Sequence, residues 1–159
     1  MNTFLVCISL AKNKTPLYGG IMTNESAKKE FEQAARILIH RAHPDPALVS
    51  QRPGGTQSYS AVFPADRHDV CVVRRSVDNG KNYGYDTIYL VWRNEREQMR
   101  QLWLIDSSES RDYIRIDSIR IQTDKAIVAV KSGGMMSGRG AWNETFEIDL
   151  KTARKLNRS

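Results

Sequence analysis

Between residues 86 and 150 the chain reads DTIYLVW, MRQLWLID, DYIRIDSIRIQ, KAIVAVK and WNETFEIDL, with only short polar gaps between the segments. β-Branched and aromatic residues dominate each run, and the gaps hold turn formers. Such a succession is the signature of an antiparallel β-meander. It constrains the fold more than any other feature, because everything upstream must pack onto it.

Two stretches within it, IYLVW at 88–92 and LWLI at 102–105, are apolar on both parities. A strand covered on one face alternates, whereas one covered on both faces does not. These two strands are therefore expected at the centre of the sheet, joined by a hairpin loop at 94–98. In the segment 113–122 the parity breaks: Ile114 and Ile116 point one way, Ile119 and Ile121 the other. A regular strand cannot keep both pairs in the core, so a β-bulge or bend is predicted at Asp117-Ser118. Thr123-Asp124 reads as a tight turn. In the last segment Phe146, Ile148 and Leu150 alternate with Thr145, Glu147 and Asp149, a strand with one wet face.

Upstream, Ala27, Phe31, Ala34, Ala35, Leu38 and Ala42 form one apolar stripe at helical spacing. Asn24 is placed to cap this helix, and Pro44 ends it. Residues 4–11, 59–63 and 69–77 read as strands. Residues 43–60 and 78–86 are rich in turn formers and read as loops, the first with room for a short strand or turn at 47–49. The expected fold is α+β: an antiparallel meander of six to eight strands, partly closed into a barrel, with one amphipathic N-terminal helix packed on it. Residues 1–150 form the expected domain and 151–159 a basic tail.

A chain of 159 residues suits a single domain of about 100–200 residues. Hydrophobic residues at 40% and charged residues at 26% give a globular rather than a disordered composition. Cys7 and Cys71 both sit in apolar runs and read as buried thiols, although a single disulfide between neighbouring strands is open. The N-terminal apolar run is short and its lysines follow it, so a strand fits better than a signal peptide. No stretch approaches the ~20 apolar residues of a membrane helix. A cytoplasmic protein without a membrane partner is expected, with edge pairing into a homodimer as one way to cover open strands. The net charge is +6, but the last nine residues supply +4 of it, leaving the other 150 nearly balanced.

Candidate chemistry is sparse. The glycine-rich string SGGMMSGRGAW at 132–142 carries Gly133 and Gly138 at the outer spacing of a phosphate loop. It lacks the Lys-Ser/Thr ending, and a strand follows where a helix is needed. Successive glycine amides still form an anion nest, so Gly133, Gly134, Ser137, Gly138 and Arg139 are candidates for binding an anion or a partner. Arg74 and Arg75 point to opposite faces of one strand. One of them must meet the core or a carboxylate, and Arg74 joins the anion-binding candidates. His40, His43 and His68 have spacings that could serve a metal, and His68 with Cys71 could form a nucleophilic pair. Their contexts, a solvent face, a helix end and an apolar strand, argue against both, so no catalytic residue, metal or cofactor is assigned. Tyr89, Trp92, Trp103 and Tyr113 alternate with arginines as in single-strand binders, yet the surrounding acids would repel phosphates. The expected function is a small non-enzymatic binding protein using loops 43–60, 78–86 and 132–140, with an unknown protein or a small anionic ligand as partner. Two alternatives stand beside it. One is a nucleic-acid-associated protein using the basic tail and an Arg/aromatic sheet face. The other is a hydrolase or metal enzyme using His40, His43, His68 or Cys71.

Overall fold

The computed structural model describes residues 23–42, 56–78, 84–107, 113–133 and 141–158. They form helix α1 (Asn24–Ala42) and eight strands: β1 (Thr56–Val62), β2 (Val70–Asp78), β3 (Gly84–Arg93), β4 (Met99–Asp106), β5 (Ile114–Gln122), β6 (Lys125–Ser132), β7 (Trp142–Asp149) and β8 (Arg154–Arg158). The strands pair as two four-stranded antiparallel sheets, each in simple sequence order, β1-β2-β3-β4 and β5-β6-β7-β8. The α+β class and antiparallel pairing agree with the sequence. The continuous meander does not: the chain leaves the first sheet after β4 and begins a second one at β5. Among the described residues the pairings make two four-stranded sheets, and the expected partial closure into a barrel is not among them. The expected strand at 4–11 and the turn at 47–49 lie outside the described residues.

Three layers result. On β2 and β3, Val70, Val72, Ile88, Leu90 and Trp92 face the second sheet, where Ile114, Ile119, Val128, Phe146 and Ile148 meet them. The intervening Cys71, Val73, Tyr89 and Val91 face the helix and meet Phe31, Ala35, Leu38 and Ile39. The first sheet is thus buried from both sides, which is why β3 is apolar on both parities; β4, which carries 102–105, is an edge strand of its sheet rather than the central strand expected. Leu104 and Ile105, adjacent on β4, both enter the inter-sheet core. They can do so because the register slips between Ile88 and Tyr89, leaving Leu104 without an opposed residue.

The bulge expected in β5 is present. Ile116 pairs with Val130 and Ser118 with Ala129, so Asp117 is the extra residue. Ile114 and Ile119 are consequently both buried, with Ile116 and Ile121 packed against the same core. The helix cap differs from expectation by one residue. Thr23, not Asn24, caps α1: its Oγ1 accepts from the Ser26 amide at 3.2 Å, and its carbonyl accepts from Ala27 at 3.1 Å. The loop expected at 43–60 is shorter than drawn, because β1 already begins at Thr56. The loop at 78–86 is trimmed likewise by β3, where Gly84 pairs with Asp78. A Cβ on Gly84 would sit 2.9 Å from the Val77 carbonyl oxygen, so only glycine fits there. Much of the basic segment 151–159 is not a free tail: residues 154–158 are β8, hydrogen-bonded to β7. Lys155 runs from β8 across to the first sheet, donating to the Leu104 carbonyl at 2.6 Å and lying over the Trp103 and Phe146 rings.

The bulge generates a direct test. Deleting Asp117 removes the extra residue and leaves a regular β5 with Ile114, Ile116, Ile119 and Ile121 on one parity, whereas deleting Arg115 sets Ile114 and Ile116 on opposite faces. At about 1.5–3 kcal/mol per buried aliphatic side chain, the Arg115 deletion is expected to cost about 1.5–3 kcal/mol more than the Asp117 deletion in urea unfolding. Asp117→Ala, which only removes an exposed ion pair with Lys131, is expected to cost under about 1 kcal/mol. Equal costs for the two deletions would refute the role given to the bulge.

Candidate functional site

Strand pairing decides which connections lie together. Thr56 pairs with Asp78 and Asp78 with Gly84. Thr87 pairs with Asp106 on the next strand. In the second sheet Ile114 pairs with Ser132 and Ser132 with Trp142. The stems of 43–55, 79–83, 108–112 and 134–140 are therefore all at one end of the two sheets. The turns at 63–69, 94–98, 123–124 and 150–153 are at the other.

A polar cluster joins the sheets at the end that carries the stems of 43–55, 79–83, 108–112 and 134–140. Asp86 of β3 is 96–97% buried. Its carboxylate accepts from Arg74 Nη2 at 3.0 and 3.2 Å and from the Ile114 amide of β5 at 3.1 Å. The Asp86 amide in turn donates to Ser107 Oγ at 2.8 Å. The Arg74 guanidinium lies 4.0 Å from the centroid of the Tyr113 ring. The Gly133 amide donates to the Tyr113 carbonyl at 3.2 Å. One carboxylate thus holds strands from both sheets, and Tyr113, exposed on its outer side, links that carboxylate's arginine to the start of the glycine string.

Of the residues singled out from sequence, Arg74 and Gly133 fall in this cluster. Arg74 is committed to Asp86, so an added anion at its Nη2 would compete with an existing ion pair. Gly133 is exposed, and a Cβ there would meet nothing within 4 Å, so packing does not demand a glycine. Gly134, Ser137, Gly138 and Arg139 lie outside the described residues, as does His43. Arg75, next to Arg74, is buried on the helix side beside Tyr89. Burial pushes the Tyr89 phenol up, while a hydrogen bond with Arg75 pulls the other way. Asp86 and Ser107 are not among the sequence candidates, and Tyr113 figures there only as one of the aromatics that alternate with arginines. The signal existed: an arginine inside an apolar strand requires a nearby acid, and Asp86 is the acid at the head of the next apolar strand.

The histidines do not converge. His68 lies in a hollow beside Ala27 and Phe31. His40 is nine residues further along α1 than Phe31, about 14 Å along the axis, and is exposed. Among the described residues no group of three metal-ligating side chains occurs. Beside His68, Arg67 holds Asp69 through two hydrogen bonds of 2.8 and 2.6 Å. That side-chain bond keeps the Asp69 carboxyl below its ordinary value. Cys71 is fully buried between sheet and helix, and desolvation pushes its thiol far above the usual range. Tyr89 and Trp92 are buried on opposite faces of the first sheet, so they do not share an exposed stacking platform. Among the described residues no helix is long and apolar enough to cross a membrane.

Comparison with protein families, with curated proteins and with solved structures finds no match for this chain.

Two outcomes test this geometry. Asp86→Ala leaves the half-buried Arg74 without its acid and the buried Ile114 amide without its acceptor, and is expected to cost about 3–5 kcal/mol in urea unfolding. The double replacement Arg74→Met, Asp86→Leu is expected to cost less than Asp86→Ala alone, since no charge is then stranded. A double variant less stable than the single one would contradict the pair's role. For Cys71, alkylation by iodoacetamide is expected to track global unfolding. Stability should also fall as pH rises above about 8.5, because the unfolded chain releases the thiol proton while the folded chain retains it. Rapid alkylation under native conditions would contradict the burial.

Proposed function

We propose that the chain is a non-enzymatic binding protein whose contact surface comprises segments 43–60, 78–86 and 132–140. The observation that supports this most is the convergence of their stems on one end of a three-layer scaffold. Binding residues are commonly carried on connections held by a rigid framework, and the Asp86 cluster makes the framework rigid at this end. The partner is a protein or a small anionic ligand, with Arg139 as the charged contact. A reducing cytosol suits the free, buried thiol of Cys71.

The test is affinity enrichment with three variants, each checked first for an unchanged melting temperature. One replaces 79–83 by a Gly/Ser segment of equal length, the second is Arg139→Glu, and the third, Lys125→Glu, alters the opposite end. A partner enriched by the wild type and by Lys125→Glu, and lost from either loop variant, supports the reading. Enrichment indifferent to both loop changes, or none above a blank column, overturns it.

A further inference from the structure

The opposite end of the sandwich holds a second feature, independent of the surface just described. A hollow of about 460 Å³ opens between the 94–98 hairpin and the turns at 123–124 and 150–153. Its apolar wall includes Trp92, held in place by donating its indole N–H to the Leu150 carbonyl at 3.0 Å. Its charged lining is strongly unbalanced: Arg67, Arg93, Arg96, Arg100 and Lys151 face only Glu95 and Asp124.

Three of these cations are already matched. Arg67 is bound to Asp69, Lys151 to Asp124 at 2.8 Å, and Arg93 reaches Glu97 at 3.6 Å. Arg96 and Arg100 have no carboxylate partner among the described residues. Arg100 is the more telling of the two. It pairs with Trp92 across β3 and β4 and so points into the gap between the sheets. Its Nε is buried and makes no hydrogen bond among the described residues. A solvated turn charge accounts for Arg96, which is exposed. It does not account for a guanidinium whose N–H is withdrawn from water without an acceptor, an arrangement that proteins rarely keep.

The hairpin that carries both arginines is fixed. Asn94 Oδ1 accepts from the amides of Arg96 at 3.0 Å and Gln98 at 2.9 Å, and the Asn94 amide donates to the Gln98 carbonyl at 2.9 Å. The positive side chains are therefore presented by a preformed turn. Across Arg67, Arg93 and Asn94 lies the neighbouring hollow, whose lining includes Glu30, Asp66 and Glu97. Its charge repels anions and leaves the arginine side as the favourable one.

We propose that the arginine-lined hollow is a binding site for a phosphomonoester dianion, with Arg96 and Arg100 as its charged contacts. Two uncommitted guanidinium groups match two negative charges, and their forked N–H groups match phosphate oxygens. The volume exceeds what a bare phosphate fills, and the wall containing Trp92 and Leu150 suits an apolar or aromatic body.

Phenyl phosphate is the probe, titrated at low salt into the full chain and followed by amide chemical shifts. Saturable shifts at 94–100 and 123–124 are expected. Arg100→Gln and Arg96→Gln are each expected to weaken binding about tenfold or more, with Arg100→Lys intermediate because it keeps the charge and loses the fork. Arg120→Gln removes the same charge from an exposed position elsewhere and is expected to change affinity less than about twofold. The wild-type shift map stands even if a variant fails to fold. The proposal is overturned if no saturable shift appears at those amides, if the shifts centre on another part of the chain, or if Arg120→Gln weakens binding as much as Arg100→Gln. Benzoate binding as tightly as phenyl phosphate overturns the dianion assignment, and equal affinity for inorganic phosphate overturns the monoester.

Discussion

The first sheet has no wet face over its central strands. β2 and β3 bury side chains of both parities, one set against α1 and the other against the second sheet. Each buried aliphatic side chain contributes about 1.5–3 kcal/mol, so neither covering layer can be removed without exposing a full apolar surface. The second sheet, by contrast, needs only one dry face, and β7 alternates accordingly. The same constraint explains the bulges. Leu104 with Ile105, and Ile114 with Ile119, satisfy the inter-sheet core only because one residue drops out of register in β4 and one in β5.

Burial of both faces leaves the two ends of the sheets as the places where polar chemistry can sit. At one end lie the stems of the connections 43–55, 79–83, 108–112 and 134–140, and at the other 63–69, 94–98, 123–124 and 150–153. The ends are also held together differently. The Asp86 carboxylate bridges the sheets at the first end, bonding β2 and β5 at once. At the second, the bridge is the Trp92 indole reaching the Leu150 carbonyl. A single neutral hydrogen bond is weaker than a charge-assisted cluster, and the space beside it is open.

Local patterns carried much of the fold into view before any coordinates. The central position of 88–92 was legible because two-sided burial erases alternation. The bulge at Asp117 was legible because a parity break has only one remedy when four isoleucines must be inside. The split into two sheets was not, since period-2 patterns show which face a residue takes and never which strand it pairs with. β8 was hidden by its composition: RKLNR looks like a solvated terminus, and its pairing rests on backbone bonds to β7 rather than on apolar side chains. The Thr23 cap escaped because Thr23 and Asn24 are both good capping residues and only geometry chooses between them. The arginine-lined hollow was least accessible of all. It gathers Arg67, Arg96, Asp124 and Lys151 from four turns and Arg100 from β4, and the sequence separations give no hint that they meet.

Arg74 and Arg100 make an instructive pair. Both project into the gap between the sheets, one at each end, and both keep an Nε that is buried without a partner. At Arg74 the fold supplies an acid, places it almost wholly out of water, and stacks Tyr113 over the guanidinium. At Arg100 it supplies none. The hollow's carboxylates are Glu95 and Asp124, of which Asp124 is bound to Lys151, and neither pairs with Arg100 among the described residues. Arg96 then adds a second like charge to the same hollow. A scaffold shaped by stability alone gains nothing from this arrangement, because like charges repel and a buried donor goes unmet. The arrangement becomes favourable once an anion supplies both the charge and the acceptor, so its natural reading is a site prepared for one.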